Sequence, residues 1–576
     1  MTGPTSDRSG TLAPPDEPVD IARPLDDSAV RPGSRWGRLA EPRWQVGLIV
    51  FCVTLAAVLL RFTVDDAFIT FRYSKNLVEG RGLVFNPGER VEGYTNFLWT
   101  LLMAVPLKFG WGIEAFSRLA TLLSAMACIV LTFRLGRQVG GSERSGVLAA
   151  LFLGVNATFI LFATSGMETL TQTALLLGCT VIALDHEREL PRVGALFGWS
   201  ALATLAVLVR LDSAVAVVAV GLVWIHSLHR SGNSLRAIAR RFSVVLLLPM
   251  ATVLPWMVWK VSFYGHIFPN TFYAKSSSSS FNPMGLIYLG VFVLSFLYVI
   301  PVIALIAKMR SLLASFGGRM VIAIVILWCV YIAVVGGDWM DFRFMIPVMP
   351  ALFAAFAAVA VDSSPAWRKA IVASCVIGGL GHVGFPGMAN VDGLPTVRLL
   401  SVKPPPNWVS EGEYLHRYFP GGLDRQNQVT IAVVAAGAIP YLSELPAIDM
   451  VGLTDATVAR SGHVIPYPSG FGKPGHLRMA RISYLRNRGV NLVLGIPVTM
   501  DAKDLPDKFS VSRDRKDVFS VLFHDYPITL GELGGASIVA IPVDNGNVML
   551  AIYLERHPEV DRHIAENGWK VIPIVK

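Results

Sequence analysis

Residues 64–99 read VDDAFITFRYSKNLVEGRGLVFNPGERVEGYTNFLW, directly after the first hydrophobic run of the chain. The stretch opens on two adjacent carboxylates, Asp65 and Asp66, and carries Arg72, Lys75, Arg81 and Arg90. Glycines stand at 80, 82 and 88 around Pro87, and it closes on Glu92-Gly93-Tyr94-Thr95-Asn96. A loop that only joins two membrane helices needs none of this chemistry. The expectation is an active-site loop at a membrane surface.

The surrounding chain supports that setting. Of 576 residues, 53% are hydrophobic and only 16% charged, and the mean hydropathy is +0.53. This profile is that of a polytopic membrane protein. Apolar runs long enough to cross a bilayer recur. The net charge of +9 sits mainly in short loops between those runs, a mark of membrane orientation rather than of nucleic-acid binding. The five cysteines all fall in apolar runs without CxxC spacing, which argues against a zinc or disulfide framework.

Residues 1–40 are rich in Pro, Asp, Ser, Gly and Arg and predict a disordered cytoplasmic tail. Arg35, Arg38 and Arg43 precede the first run, about 44–62, and place that end inside. The run at about 95–109 is short, contains Pro106, and reads as interfacial or re-entrant. Further spans are expected at about 116–133, 146–164, 168–185, 194–209, 212–228, 242–260, 285–307, 320–336, 344–361 and 368–384. With 95–109 not crossing, all five basic junctions, such as Arg230/Arg236/Arg240/Arg241, lie inside. About eleven spans and an outer C-terminus follow. The domains are then a tail 1–40, a membrane domain 41–384 with first outer loop 63–115, and an extracytoplasmic α/β domain 385–576. The last is marked by β-like runs at 429–435, 490–495, 536–543 and 548–554, with a helix-like segment at 474–489.

On this topology the outer junctions are motif-like, and five polar constellations on one face imply one shared site. Asp65 and Asp66 point in different directions. One suits a general base and the other an orienting or charge-stabilising group; the plainer alternative is a helix N-cap. Arg72, Lys75, Arg210, Lys275 and Arg343 suit a lipid-linked phosphate, against simple snorkelling. Tyr94-Thr95-Asn96 and Asn270-Thr271-Phe272-Tyr273, with Glu92, offer hydrogen bonds and aromatic faces to a sugar, against the plainer reading of interfacial aromatics and turn-formers. Glu168, Asp212 and Asp338 add carboxylates on the same face. Any of the three could complete a divalent-cation site with Asp65-Asp66, though the spacing does not demand one. His463 and His476 read as surface or turn residues. Ser276–Ser280 reads as a linker.

The first loop, together with PNTFYAK (269–275), GGDWMDFRFMIPVMP (336–350) and AAGAIPYLSELPAIDMVGLTD (435–455), resembles the AftB family of terminal β-(1→2) arabinofuranosyltransferases and the related ZomB proteins. The resemblance implies a GT-C fold, with an acidic catalytic residue in the first outer loop, where Asp65-Asp66 stand. It implies a decaprenyl-phosphate-arabinofuranose donor, an arabinan acceptor of arabinogalactan or lipoarabinomannan, and a multi-pass location in the plasma membrane. A β donor giving a β product would mean net retention, by double displacement or by a front-side route. The competing readings are a GT-C transferase of another polyprenyl-phosphate sugar, a non-enzymatic glycan- or lipid-binding assembly protein, and, more weakly, a transporter.

Overall fold

The computed structural model describes residues 41–275, 283–382, 406–465, 477–511, 519, 522–523 and 528–575. The expected tail 1–40, the Ser276–Ser280 linker and His476 lie outside them. The chain divides into two units at Gln45/Val46, and Val46–Lys576 is one compact unit.

The first apolar run forms α1 (Pro42–Leu59), and the motif after it forms α2 (Asp65–Val78). The short run is α3 (Phe97–Lys108), 12 residues with Pro106 inside. At about 1.5 Å per residue it reaches roughly 18 Å, short of a bilayer core. Then come α4 (Ile113–Gly140), α5 (Glu143–Gly154), α6 (Thr169–Asp185), α7 (Val193–Val209) and α8 (Ser213–Arg230). A short α9 (Leu235–Phe242) leads through a 3-10 turn into α10 (Leu247–Tyr264). After α11 (Asn270–Lys275) follow α12 (Met284–Ser295), α13 (Val299–Ala307), α14 (Phe316–Val335), α15 (Met349–Val361) and α16 (Pro365–Gly381).

Among the described residues, five helical stretches are each long and apolar enough to cross a membrane, and a bent pair makes six. Several expected spans are interrupted, with identifiable causes. The run 146–164 breaks after α5, where the Asn156 side chain accepts from Phe159 N and caps a second short helix, Ala157–Phe162. The run 285–307 is the pair α12 and α13, bent by 104°. Helix α15 is shorter than a span and is buried along almost its whole length, Ala351 through Ala360. Its Ala-rich surface lets α4 and α5 pack closely.

The later residues build a mixed seven-stranded sheet in the order β2-β1-β5-β8-β7-β9-β6. The strands are β1 (Ile431–Val433), β2 (Ala447–Asp449), β5 (Leu492–Asp501), β6 (Phe509–Ser510), β7 (Ser537–Pro542), β8 (Asn547–Tyr553) and β9 (Lys570–Val575). β1 pairs in parallel with β2 and β5, whereas β5, β8, β7 and β9 pair antiparallel in turn. β3 (His463–Val464) and β4 (Arg478–Met479) form a separate hairpin-like pair. The four β-like runs coincide with β1, β5, β7 and β8. β2, β6 and β9 are additional, two of them too short to show a period.

One face of the large sheet has its own apolar core, with Val493, Ile538, Leu550 and Ile552 at its centre. The other face shares a core with the first loop: Val433, Leu494 and Val539 pack in one cluster with Ile69, Tyr73, Phe85 and Tyr94. The quoted motif is thus held between the helical bundle and the sheet.

Candidate active site

Asp65 and Asp66 occupy the first turn of α2, where the helix dipole favours carboxylates. Successive helical residues diverge by about 100°, so the pair splits. Asp65 is buried. Its Oδ1 accepts from Ala438 N at 2.7 Å and its Oδ2 from Gly437 N at 3.1 Å. Those amides open the short helix α17 (Ala438–Ser443). Gly437 is required there, because a Cβ would stand 2.0 Å from the Asp65 carbonyl oxygen. Burial raises the Asp65 pKa to about 7, partly offset by the two amides.

Asp66 turns the other way. Its side chain is 23% exposed and lies 3.9 Å from Arg343 Nη1. It lines a polar cavity of about 80 Å³ with Glu168, Arg210, Lys275 and Arg343. Burial raises its pKa, against the pull of the Arg343 guanidinium.

Arg343 reaches the cavity because the loop before it is folded back. Asp341 and Phe342 both adopt left-handed backbone, φ 28° and 57°, rare for residues with side chains. Asp341 is fixed in the interior by Thr158 Oγ1 at 2.7 Å and by His382 at 2.8 Å. Arg343 Nε then meets Asp338 Oδ2 at 2.7 Å, and its Nη1 donates to Met167 Sδ at 3.1 Å.

Glu168, Arg210 and Asp212 form a second, saturated network. Arg210 Nη1 meets Glu168 Oε1, and its Nη2 meets Asp212 Oδ2, each at 2.7 Å. Asn96 Nδ2 donates to Glu168 Oε2 at 2.7 Å and to Thr70 Oγ1 at 3.0 Å. Gln172 and Tyr331 donate to Asp212 at 2.7 and 3.1 Å. Every carboxylate here is partnered, so the network reads as a rigid wall.

Lys275, at the end of α11, differs. Among the described residues its ammonium has no hydrogen-bond or ion-pair partner, and it stands 5.5 Å from the Phe344 ring centre. Burial lowers its pKa, while Asp338 pulls it up. Lys275, Arg210, Thr95 and Thr271 also border a second, apolar chamber of about 310 Å³, walled by Leu211, Phe268, Phe272, Tyr331 and Val335. A cationic, polar pocket thus opens onto a greasy one.

Other residues singled out from the sequence lie elsewhere. Arg72 is buried and donates to the carbonyls of Phe85 at 2.8 Å, Leu445 at 2.8 Å and Pro440. Lys75 pairs with Glu444. Glu92 pairs with Lys260 at 3.0 Å, and burial raises the Glu92 pKa to about 7. Asn270 Nδ2 donates to Gly452 O at 2.8 Å, with Leu453 and Asp455 carbonyls at 3.2 Å. Tyr273 lies under Arg460, 4.5 Å from its ring centre. Tyr94 borders the cavity while its hydroxyl meets Tyr264 OH at 3.1 Å. Thr95 and Thr271, expected beside a sugar, also line the cavity, and lining residues not singled out include Thr70, Met167, Trp339 and Leu453. Thr70, Trp339 and Leu453 lie inside the recognised motifs and Met167 beside Glu168, and that position was the available signal. No group of three or more His, Cys, Asp or Glu among the described residues is placed to hold a metal ion.

Residues 409–525 match a family model described as a domain of unknown function, DUF8728. The chain is 31% identical over 267 residues to the terminal beta-(1->2)-arabinofuranosyltransferase of Mycobacterium tuberculosis. That match covers 42% of this chain and 40% of the relative, so well under two thirds of the relative's length is spanned. Among solved structures, ArnT from Cupriavidus metallidurans bound to undecaprenyl phosphate superposes with a TM-score of 0.51 at 13% identity, covering 88% of this chain and 97% of that one. Its apo form gives 0.50 at 14% identity, with the same coverage. The chain is thus similar in sequence to an arabinofuranosyltransferase, and its fold is similar to that of ArnT.

Proposed function

We propose that this protein is a membrane glycosyltransferase that takes a sugar from a polyprenyl phosphate. The observation that carries the reading is the meeting of Asp66 and Lys275, whose ammonium has no hydrogen-bond or ion-pair partner among the described residues, in one polar cavity that opens onto an apolar chamber. The first few isoprene units of such a lipid match the size and apolar walls of the chamber, and its phosphate suits Lys275 and Arg343, whose charges favour a phosphodiester over any neutral group. The ArnT structure bound to undecaprenyl phosphate supports a lipid-phosphate ligand for this fold.

The finer reading is transfer of arabinofuranose from decaprenyl phosphate to arabinan ends of arabinogalactan or lipoarabinomannan, with a terminal β-(1→2) linkage. The sequence likeness to the mycobacterial transferase supports it. In that reaction the anomeric carbon–phosphate oxygen bond breaks and a bond to the acceptor oxygen forms. The acceptor proton passes to a carboxylate, and the lipid phosphate leaves. On a front-side route Asp66 would be that carboxylate; in a double displacement Asp66 would instead be the nucleophile, leaving again as the acceptor oxygen attacks, and the acceptor proton would pass to the released lipid phosphate. Asp65, already holding two amides, is a positioning group. We place the tail 1–40 inside, and the first loop 63–115 and residues 385–576 outside. About eleven crossings within 41–384 fit the distribution of basic junctions.

The test is transfer from a synthetic lipid-phospho-arabinofuranose to a short arabinan by the purified full chain, with the product linkage read by NMR. A new β-(1→2) terminal residue is the expected result. Transfer only from another lipid-linked sugar would move the assignment to that donor. Donor binding without turnover, in folded protein, would replace the enzyme reading with that of an assembly protein.

A further inference from the structure

Along residues 199–207 of α7 and 217–225 of α8 lies a chamber of about 570 Å³ that shares no residue with the cavities above. The chamber is bounded by α7, α8, α9 and the start of α10, with Ala203, Gly221, Phe242 and Val253 among its walls. Its size falls in the ~300–1,000 Å³ range of small-molecule sites.

Two features distinguish it from an ordinary lipid-facing groove. First, two residues of its walls carry a buried polar atom without a hydrogen-bond partner among the described residues: the indole nitrogen of Trp199 and the hydroxyl of Thr204. A buried donor left unpaired is costly, and an acyl ester offers the acceptor it lacks. Second, α9 forms its rim. Ile238 is buried and Ala239 and Phe242 line the chamber, while Arg236 and Arg240, four residues apart, share the exposed face beside Arg241. Among the described residues the guanidinium groups of these three arginines make no ion pair or hydrogen bond. Membrane orientation alone accounts for basic loops but not for an apolar chamber with orphan donors beneath them.

We propose that this chamber is a binding site for an anionic glycerophospholipid. An acyl chain fills it, an ester carbonyl accepts from Trp199 or Thr204, and the headgroup phosphate sits against Arg240 and Arg241. Basic pockets between membrane helices take such headgroups.

The experiment is native mass spectrometry of the full chain, in micelles supplied with phosphatidylglycerol or phosphatidylcholine of matched chains. Wild type should retain phosphatidylglycerol at least about tenfold better. Arg240→Gln with Arg241→Gln, on an exposed rim where folding is not at risk, should remove the preference. Gly221→Leu, which fills the chamber, should lower retention of both lipids. Equal retention by the wild type, or an unchanged preference in the arginine variant, would overturn the proposal. Displacement of the bound phosphatidylglycerol by a polyprenyl phosphate would also overturn it, by making the chamber part of the donor site.

Discussion

The Asp65 carboxylate accepts a 2.7 Å hydrogen bond from the Ala438 amide, 373 residues further along the chain. Its sequence neighbour Asp66 faces the cavity instead. The two aspartates should therefore fail differently. Asp65→Asn turns an amide N–H toward backbone donors and should cost about 1–3 kcal/mol of stability, read as a lower melting temperature, with turnover per folded molecule largely kept. Asp66→Asn should melt like wild type and lose about 10²–10⁴-fold in kcat. Equal loss of turnover in both would refute the division of roles.

Gly437→Ala tests the same contact from the other side. The new methyl would fall 2.0 Å from the Asp65 carbonyl oxygen. Overpacking of this kind costs about 1–3 kcal/mol. The expected signature is destabilisation, with faster proteolysis between the helical region and the sheet. An alanine variant as stable as wild type would mean that this junction is loose.

The pH dependence of the Asp65 contribution has a definite sign. Its pKa is about 7 when folded, against 3.8 for the free carboxyl. The folded state holds the proton more tightly, so this contribution is complete below about 3.8 and declines as pH rises toward about 7. Chemical denaturation at several pH values should show that decline, flattened in Asp65→Asn.

Activity should follow a bell narrower than free carboxyl and ammonium groups would give. Burial raises the Asp66 pKa and lowers that of Lys275, so both limbs move inward. The acid limb should disappear with Asp66→Asn only together with the activity. Lys275→Met should weaken donor binding by about 10–100-fold, the worth of a charge-assisted hydrogen bond, and leave thermal stability nearly intact, because among the described residues the ammonium loses only its contact with the Phe344 ring.

Much of this arrangement is written locally. The acidic start of α2, Glu168, the Arg210/Asp212 pair, Lys275 and Arg343 all stand at the ends of apolar runs, where a charge is expensive unless used or paired. Arg72, Lys75 and Asn270 stand in similar places. Their partners, near 440–445 and 452–455, are between 180 and 375 residues away, so no spacing rule links them. A buried arginine satisfied by carbonyls and one awaiting a phosphate look alike in a sequence. The broken helices follow the same logic. Asn156 and Pro301 sit inside apolar runs whose hydropathy alone suggests continuity, and only the packing of α15 and the bend at 104° show where each run stops.

Leu453 borders the cavity, and Asn270 holds the backbone on either side of it. One wall of the pocket is therefore made from the last quarter of the chain. At a synthesis rate of ~5–20 residues per second, roughly 20–75 s separate the emergence of Asp65 from that of Ala438, its partner 373 residues on. During that interval the first loop exists with its buried arginine short of the Pro440 and Leu445 carbonyls and its cavity open on one side. The growing polypeptide cannot assemble the pocket ahead of completion, so a truncated chain would be inert as well as exposed to proteases and chaperones.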